Sequence, residues 1–138
     1  MTETTQPAQF FTKLGAAIWQ LDRAIALFLD EADYACAITL AGAADEILGK
    51  LLDEAGKTHA LGQFLDLCSY LDPTTKRKAF VSLANARRDD LKHITHGGGM
   101  AVTRDDAVEM LDRAVSNHQS LTGGESPSIL RYMARPLS

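Results

Sequence analysis

Residues 34–55, "YACAITLAGAADEILGKLLDEA", constrain this chain more than any other stretch. Wound as a helix, the segment is apolar on nearly every side, with Thr39, Glu46, Lys50 and Asp53 as its one polar stripe. A helix with so narrow a wet face has to run through the middle of its fold and touch several neighbours. Gly42 and Gly49 stand seven residues apart, nearly on one line, and predict a groove that lets another helix backbone come close. Asp33 supplies an N-cap before the segment, and Gly56 a C-cap residue after it.

The neighbours such a helix needs can be read on either side. From Ala8 to Leu29 the apolar positions Phe11, Leu14, Ile18, Leu21, Ile25 and Phe28 advance in steps of three and four, a heptad-like seam widened by Ala17 and Ala24. Residues 1–7 carry no such pattern and are expected to be disordered. A shorter helix over 58–71 carries Leu61, Phe64, Leu65, Cys68 and Leu71. Asp72 and Pro73 read as the N-cap and first position of a fourth helix reaching about Thr95. A glycine loop follows. Thr103 and Asp106 then have capping-box spacing, and the fifth helix has the seam Ala107, Leu111, Ala114, Val115 and His118. Ser126 and Pro127 open a last short helix within a C-terminal appendage, residues 124–138. No segment alternates with period two, and no repeat is present. The expectation is an all-α protein, an up-and-down four- to five-helix bundle forming one domain over residues 1–138.

Several classes of protein are set aside. The apolar run from Leu14 to Leu29 is broken by Gln20, Asp22 and Arg23, so it is no membrane span. The start lacks the basic flank and apolar run of a signal peptide. Cys36 and Cys68 sit in apolar helical runs and predict buried free thiols, which suits a reducing compartment; a cytoplasmic location is expected. Net charge is -4, so any contact with nucleic acid needs a local basic patch. There is no P-loop, no dinucleotide-binding glycine pattern and no nucleophile elbow, and no cofactor is expected.

The ionisable chemistry collects in "NARRDDLKHITHGGG", residues 85–99. On a helical wheel Phe80, Leu83, Ala84, Leu91 and Ile94 make the core side. Asn85, Asp89, Lys92 and His96 make the polar stripe, with Arg88 and His93 on the shoulders. Arg87 projects near the centre of the apolar face, so it needs a carboxylate such as Asp45 or Glu46, or a route to solvent. A charged stripe is ordinarily the solvated face of a bundle helix, with weak Asp89–Lys92 and Asp89–His93 pairs of about 0.2–0.5 kcal/mol. Lys92, His93 and His96 also suit the helix dipole. That account leaves Arg87 unexplained, and three glycines where one would end a helix. Asp89, His93 and His96 have ligand-like spacing. No HExxH, CxxC or second Glu-x-x-His motif accompanies them, so no metal is expected. His59 reads as a cap, His118 as a core-edge group, and Trp19 and Tyr34 as core-edge packing.

"RRDDLKH" resembles the signature of the HEPN superfamily, small four- or five-helix bundles with an R-x4-6-H motif late in the bundle. Arg88, Asp89 and His93 match it with four residues between Arg and His, and Arg87 with five gives a second match. "FLDEADYACAITLAGAADEILGKLL", Phe28 to Leu52, is similar to the first-to-second helix junction of standalone members, with Asp45 where Glu is more usual and Glu46 beside it. The resemblance covers about residues 14–96. It implies metal-independent RNA cleavage in which the RNA 2′-hydroxyl attacks, His93 is the acid/base, Arg88 meets the phosphorane charge and Asp89 orients one of them. Lys92, Arg87, Glu46 and His96 become candidate substrate-binding residues. The wheel sets Arg88 and His93 about 140° apart, so one phosphate between them requires fraying at the glycines or a two-fold dimer. A homodimer is the arrangement the resemblance implies. Other members have lost catalysis and bind RNA or a protein such as a nucleotidyltransferase-like or antitoxin partner. A non-catalytic interaction module is therefore the alternative expectation.

Overall fold

The computed structural model describes residues 6–92 and 99–137. Among the described residues it contains six α-helices and no strand: α1 (Lys13–Glu31), α2 (Tyr34–Glu54), α3 (Ala60–Leu71), α4 (Arg77–Lys92), α5 (Arg104–Thr122) and α6 (Pro127–Met133). The all-α expectation holds. None of these helices is long and apolar enough to cross a membrane.

Local chemistry sets most of the ends. The Thr12 hydroxyl accepts the Gly15 amide at 2.9 Å and starts α1 several residues later than the seam predicts. The chain before it stays outside, with Phe10 89% exposed. The disorder expected for 1–7 falls mostly on residues outside the described ones. Ala32 takes a left-handed conformation at φ 50°, and Asp33 then caps α2 by accepting the Cys36 amide at 3.1 Å. So short a connection folds α1 and α2 back on each other. The capping box at Thr103 and Asp106 and the Ser126 cap before Pro127 form as read.

The core lies where α2 is held between α1 and α5. Leu21, Ala24, Ile25 and Phe28 meet Ala37, Ile38, Ala41, Ala44 and Leu48, and these meet Ala107, Met110, Leu111, Ala114 and Val115. Each large side chain among them contributes about 1.5–3 kcal/mol by leaving water. From α6, Ile129 and Tyr132 complete the cluster. The Tyr132 hydroxyl donates to Asp112 at 2.7 Å, with the Arg135 guanidinium 4.0 Å from its ring centre. Arg104 donates to the Pro136 carbonyl at 2.7 Å and ties down the following segment.

The α3–α4 pair is different. α3 buries only Gly62 and Leu65, and α4 only Asn85. Asp72 does not cap α4: its amide closes α3 on Cys68, and its carboxylate accepts the Thr74 and Thr75 hydroxyls at 2.8 and 2.6 Å. That local turn satisfies the acid without a helix, and α4 begins only at Arg77. The expected core side of α4 is also rotated. Leu83 is 71% exposed whereas Asn85 is 8% exposed. Cys36, in the first turn of α2, is exposed where burial was expected, and Cys68 is half-buried; neither is bridged. Trp19 lies at the surface, edge-on to Phe11, whereas Tyr34 packs beside Phe28.

Candidate functional site

The rotation of α4 is explained by Asp45. This carboxylate sits in the middle of α2, almost wholly buried among small and aliphatic neighbours. Burial pushes its pKa above the ordinary carboxylate value, with Arg113 pulling the other way. Such a group has to be hydrogen-bonded. α5 supplies Arg113 and Asn117 one turn apart. Arg113 Nη2 donates to Asp45 Oδ2 at 2.7 Å, and Asn117 Nδ2 donates to Oδ1 at 2.8 Å. The other arm of Arg113 donates to the Ala84 carbonyl and to Asn85 Oδ1, both at 3.0 Å. Asn117 Oδ1 accepts the Ala60 amide at 2.7 Å, at the start of α3. One buried carboxylate thereby links α2 and α5 to α3 and α4, and Asn85 has to face inward to complete the set.

Above this network opens a cleft of about 230 Å³, whose walls include Glu46, Lys50, Asp53, His59 and Arg88. His59 caps α3 through Nδ1, which accepts the Gly62 amide at 2.8 Å, so the neutral ring carries its proton on Nε2, 3.7 Å from Asp53 Oδ1. Arg88 enters across Gly42. A Cβ at position 42 would lie 2.4 Å from Arg88 Cδ and 2.9 Å from Cγ. Gly42 therefore admits an arginine stem, and Gly49 faces the His59 ring at 3.7 Å; neither gap is filled by the helix backbone that the spacing predicted. The Arg88 side chain is 21% exposed, and its nearest carboxylate is Asp89 at 3.5 Å, a long contact that leaves most of its donors to the cleft.

The candidate residues thus divide. Arg88 and Glu46 line the cleft, Glu46 with Lys50 3.7 Å away. Asp89 is exposed beside Arg88, and Lys92 is exposed in the last turn of α4. Arg87 lies outside the cleft, half exposed, with Nε 3.7 Å from Asp106 Oδ1. Its expected partner Asp45 is taken by Arg113, and Glu46 faces Lys50. His93 and His96 lie outside the described residues. Among the described residues no group of three or more His, Cys, Asp or Glu side chains is placed to hold a metal. The sequence reading missed Arg113, Asn117 and Asn85. The available signal was an acid on the apolar side of "LAGAADEIL", which obliges some other helix to supply a cation, and an Arg and Asn four apart beside the seam of α5.

Chemically, over a floor in which Arg113 and Asp45 are already paired, the cleft offers the Arg88 guanidinium, fixed along its stem, with Lys50 and the His59 imidazole, set against the carboxylates of Glu46 and Asp53. That inventory can hold one phosphate-sized anionic group at Arg88. Compared with protein-family models, curated proteins and solved structures, the chain matches none of them. Fold and site together define an all-α helical bundle built over a buried Asp–Arg–Asn network.

Proposed function

We propose that the chain is an RNA-directed bundle of the HEPN type, an endoribonuclease or RNA-binding protein that needs no metal. The observation that carries this reading is the seating of Arg88. The arginine of the R-x4-6-H motif is led into a polar cleft across a glycine of the central helix. In this reading Arg88 holds the scissile phosphate. His93 takes the 2′-hydroxyl proton, the 2′-oxygen attacks phosphorus, and the P–O5′ bond breaks as the 5′-oxygen takes a proton from solvent. The products are a 2′,3′-cyclic phosphate and a 5′-hydroxyl end. Asp89 restrains the guanidinium, while Lys92 and Arg87 on the same helix meet flanking phosphates. Two unbridged cysteines suit a cytoplasmic setting.

The test is incubation of pure protein with mixed RNA in EDTA, with end-group analysis. Cleavage is expected to persist. His93→Ala is expected to lower it by about 100- to 10,000-fold, and Arg88→Ala comparably, with folding checked by circular dichroism. Activity indifferent to His93, or abolished by EDTA, would exclude the mechanism.

A second reading, a non-catalytic interaction module, is favoured by a separate observation. The α3–α4 pair exposes Phe64, Leu67, Leu71 and Leu83, which a solitary bundle would cover. On this reading the bundle pairs with itself or with a protein such as a nucleotidyltransferase-like or antitoxin partner, and no RNA is cut.

A further inference from the structure

His59 shares the cleft with Arg88, and its ring is held more firmly than a helix cap requires. The chain that carries it is tied to α5 on both sides. Lys57 Nζ donates to the Ser120 carbonyl at 3.2 Å, and the Ala60 amide donates to Asn117 Oδ1 at 2.7 Å. The imidazole itself adjoins two glycines. A Cβ at Gly49 would stand 3.7 Å from Cγ and Cδ2, and a Cβ at Gly62 would stand 3.3 Å from Cε1 and 3.4 Å from Nδ1. The Gly62 amide donates to Nδ1 at 2.8 Å. With its Cδ2 edge against α2 and its Nδ1 edge against α3, the ring has one polar corner left, Nε2. A nitrogen that accepts an amide proton carries none of its own, so the ring proton is on Nε2. Asp53 Oδ1, at 3.7 Å, is beyond hydrogen-bond length from it. That N–H is left to the cleft.

We propose that His59 is the second donor to the anion held at Arg88, a neutral imidazole whose Nε2–H meets a non-bridging oxygen of the phosphate group. The inference rests on the reading of Arg88 as the phosphate holder; it needs neither His93 nor cleavage. The charged groups that share the cleft are Asp45, Glu46, Lys50 and Asp53 of α2, Arg88 of α4 and Arg113 of α5. Asp45 and Arg113 are engaged with each other, and Glu46 faces Lys50. A neutral donor suits this setting. An imidazolium would be drawn onto Asp53 and away from the ligand. It would also set a second N–H against the Gly62 amide and undo the cap of α3. The neutral ring keeps both its cap and its proton. Arg88 then supplies charge, and His59 supplies direction from a position fixed before the ligand arrives, which costs no reorganisation on binding.

Sulfate is the probe, because its charge does not change where histidine titrates. The full chain, its histidines labelled with 15N, is titrated with sodium sulfate at constant ionic strength while the imidazole nitrogens are followed by NMR. The His59 signals are those lost in His59→Asn. They are expected to show one bare and one protonated nitrogen throughout, with the Nε2 pair shifting as sulfate binds. Asparagine is a favoured N-cap residue and sets Oδ1 where the imidazole has Nδ1, but it has no atom at the ε position. His59→Asn should therefore melt as the wild type does and bind sulfate about ten- to a hundredfold more weakly, the loss of one hydrogen bond to a charged ligand. The Nε2 shift is read on the wild type and stands whether or not asparagine weakens the cap. An Nε2 signal that ignores sulfate overturns the proposal. So does a ring that becomes doubly protonated on binding, an affinity unchanged by His59→Asn, or a wild type that binds no sulfate. Sulfate binding lost in Arg88→Ala but kept in His59→Asn removes this inference and leaves Arg88 as the phosphate holder. Binding that needs both residues, in a protein that cuts no RNA, keeps this inference and removes the ribonuclease reading.

Discussion

Glycine inside a helix costs about 0.5–1 kcal/mol relative to alanine, so Gly42 in the middle of α2 has to be understood through what covers it. What covers it is the Arg88 stem, closer than any Cβ could tolerate. Gly42→Ala should therefore improve the helix and evict the arginine together. The expected result is strong non-additivity: alanine at 42 stabilises by about 1 kcal/mol when Arg88 is already Ala, and gives no gain, or a loss, when Arg88 is present. Urea unfolding of the two single variants and the double variant measures this, and additive values would mean Arg88 is not seated there. On the ribonuclease reading the single Gly42→Ala change also lowers cleavage without touching a catalytic group. Asp45 gives a second prediction at this scale. Its folded pKa lies above its unfolded value because burial outweighs Arg113. The folded state then takes the proton first. Its favourable contribution is complete below the unfolded pKa and is lost as pH rises through the raised folded value. Asp45→Asn should flatten that part of the stability–pH curve, as followed by denaturant unfolding at a series of pH values. An unchanged slope would place the burial penalty elsewhere.

Among the elements, α1, α2 and α5 were legible because their seams are long, regular and apolar, and the pattern needs no partner to be interpreted. α4 was not. Its apolar residues Phe80, Leu83 and Ala84 point to one core side, and the fold turns the helix so that Asn85 and Arg88 face in. The reason is a partner in another element, Arg113 of α5 bound to Asp45 of α2, and no window of sequence around α4 contains it. The same holds for Asp72, whose neighbouring threonines outcompete the helix it was expected to cap. Of the candidate site, Arg88 and Glu46 were named through the family resemblance, and both line the cleft, whereas the polar floor beneath them depends on contacts between elements. That floor predicts a pair of energies. Asp45→Ala leaves Arg113 as an uncompensated buried cation and is expected to cost about 3–5 kcal/mol. Asp45→Leu combined with Arg113→Met removes both charges and should recover most of that loss, while freeing Asn85 and loosening α4. Calorimetric melting of both proteins checks this; equal losses would show that the ion pair itself carries the stability.

For the whole molecule, these contacts describe a bundle of uneven firmness. α1, α2, α5 and α6 share one apolar cluster, whereas α3 and α4 are joined to it largely through polar contacts at Asp45 and a few partly buried side chains. Regions with few buried apolar contacts open at lower free energy than the global transition, and the cleft lies where that less firmly held half meets α2 and α5. Trp19 sits on the other half. It is the chain's one tryptophan, 59% exposed on α1 with Phe11 edge-on at 5.2 Å. Its indole is already largely hydrated in the folded protein, so intrinsic fluorescence changes little when the core melts and is silent to movements of α4. An optical probe of α4 has to be introduced. Leu83, exposed on α4 and outside the core, is a position where a tryptophan would register movement of that helix as a shift in emission.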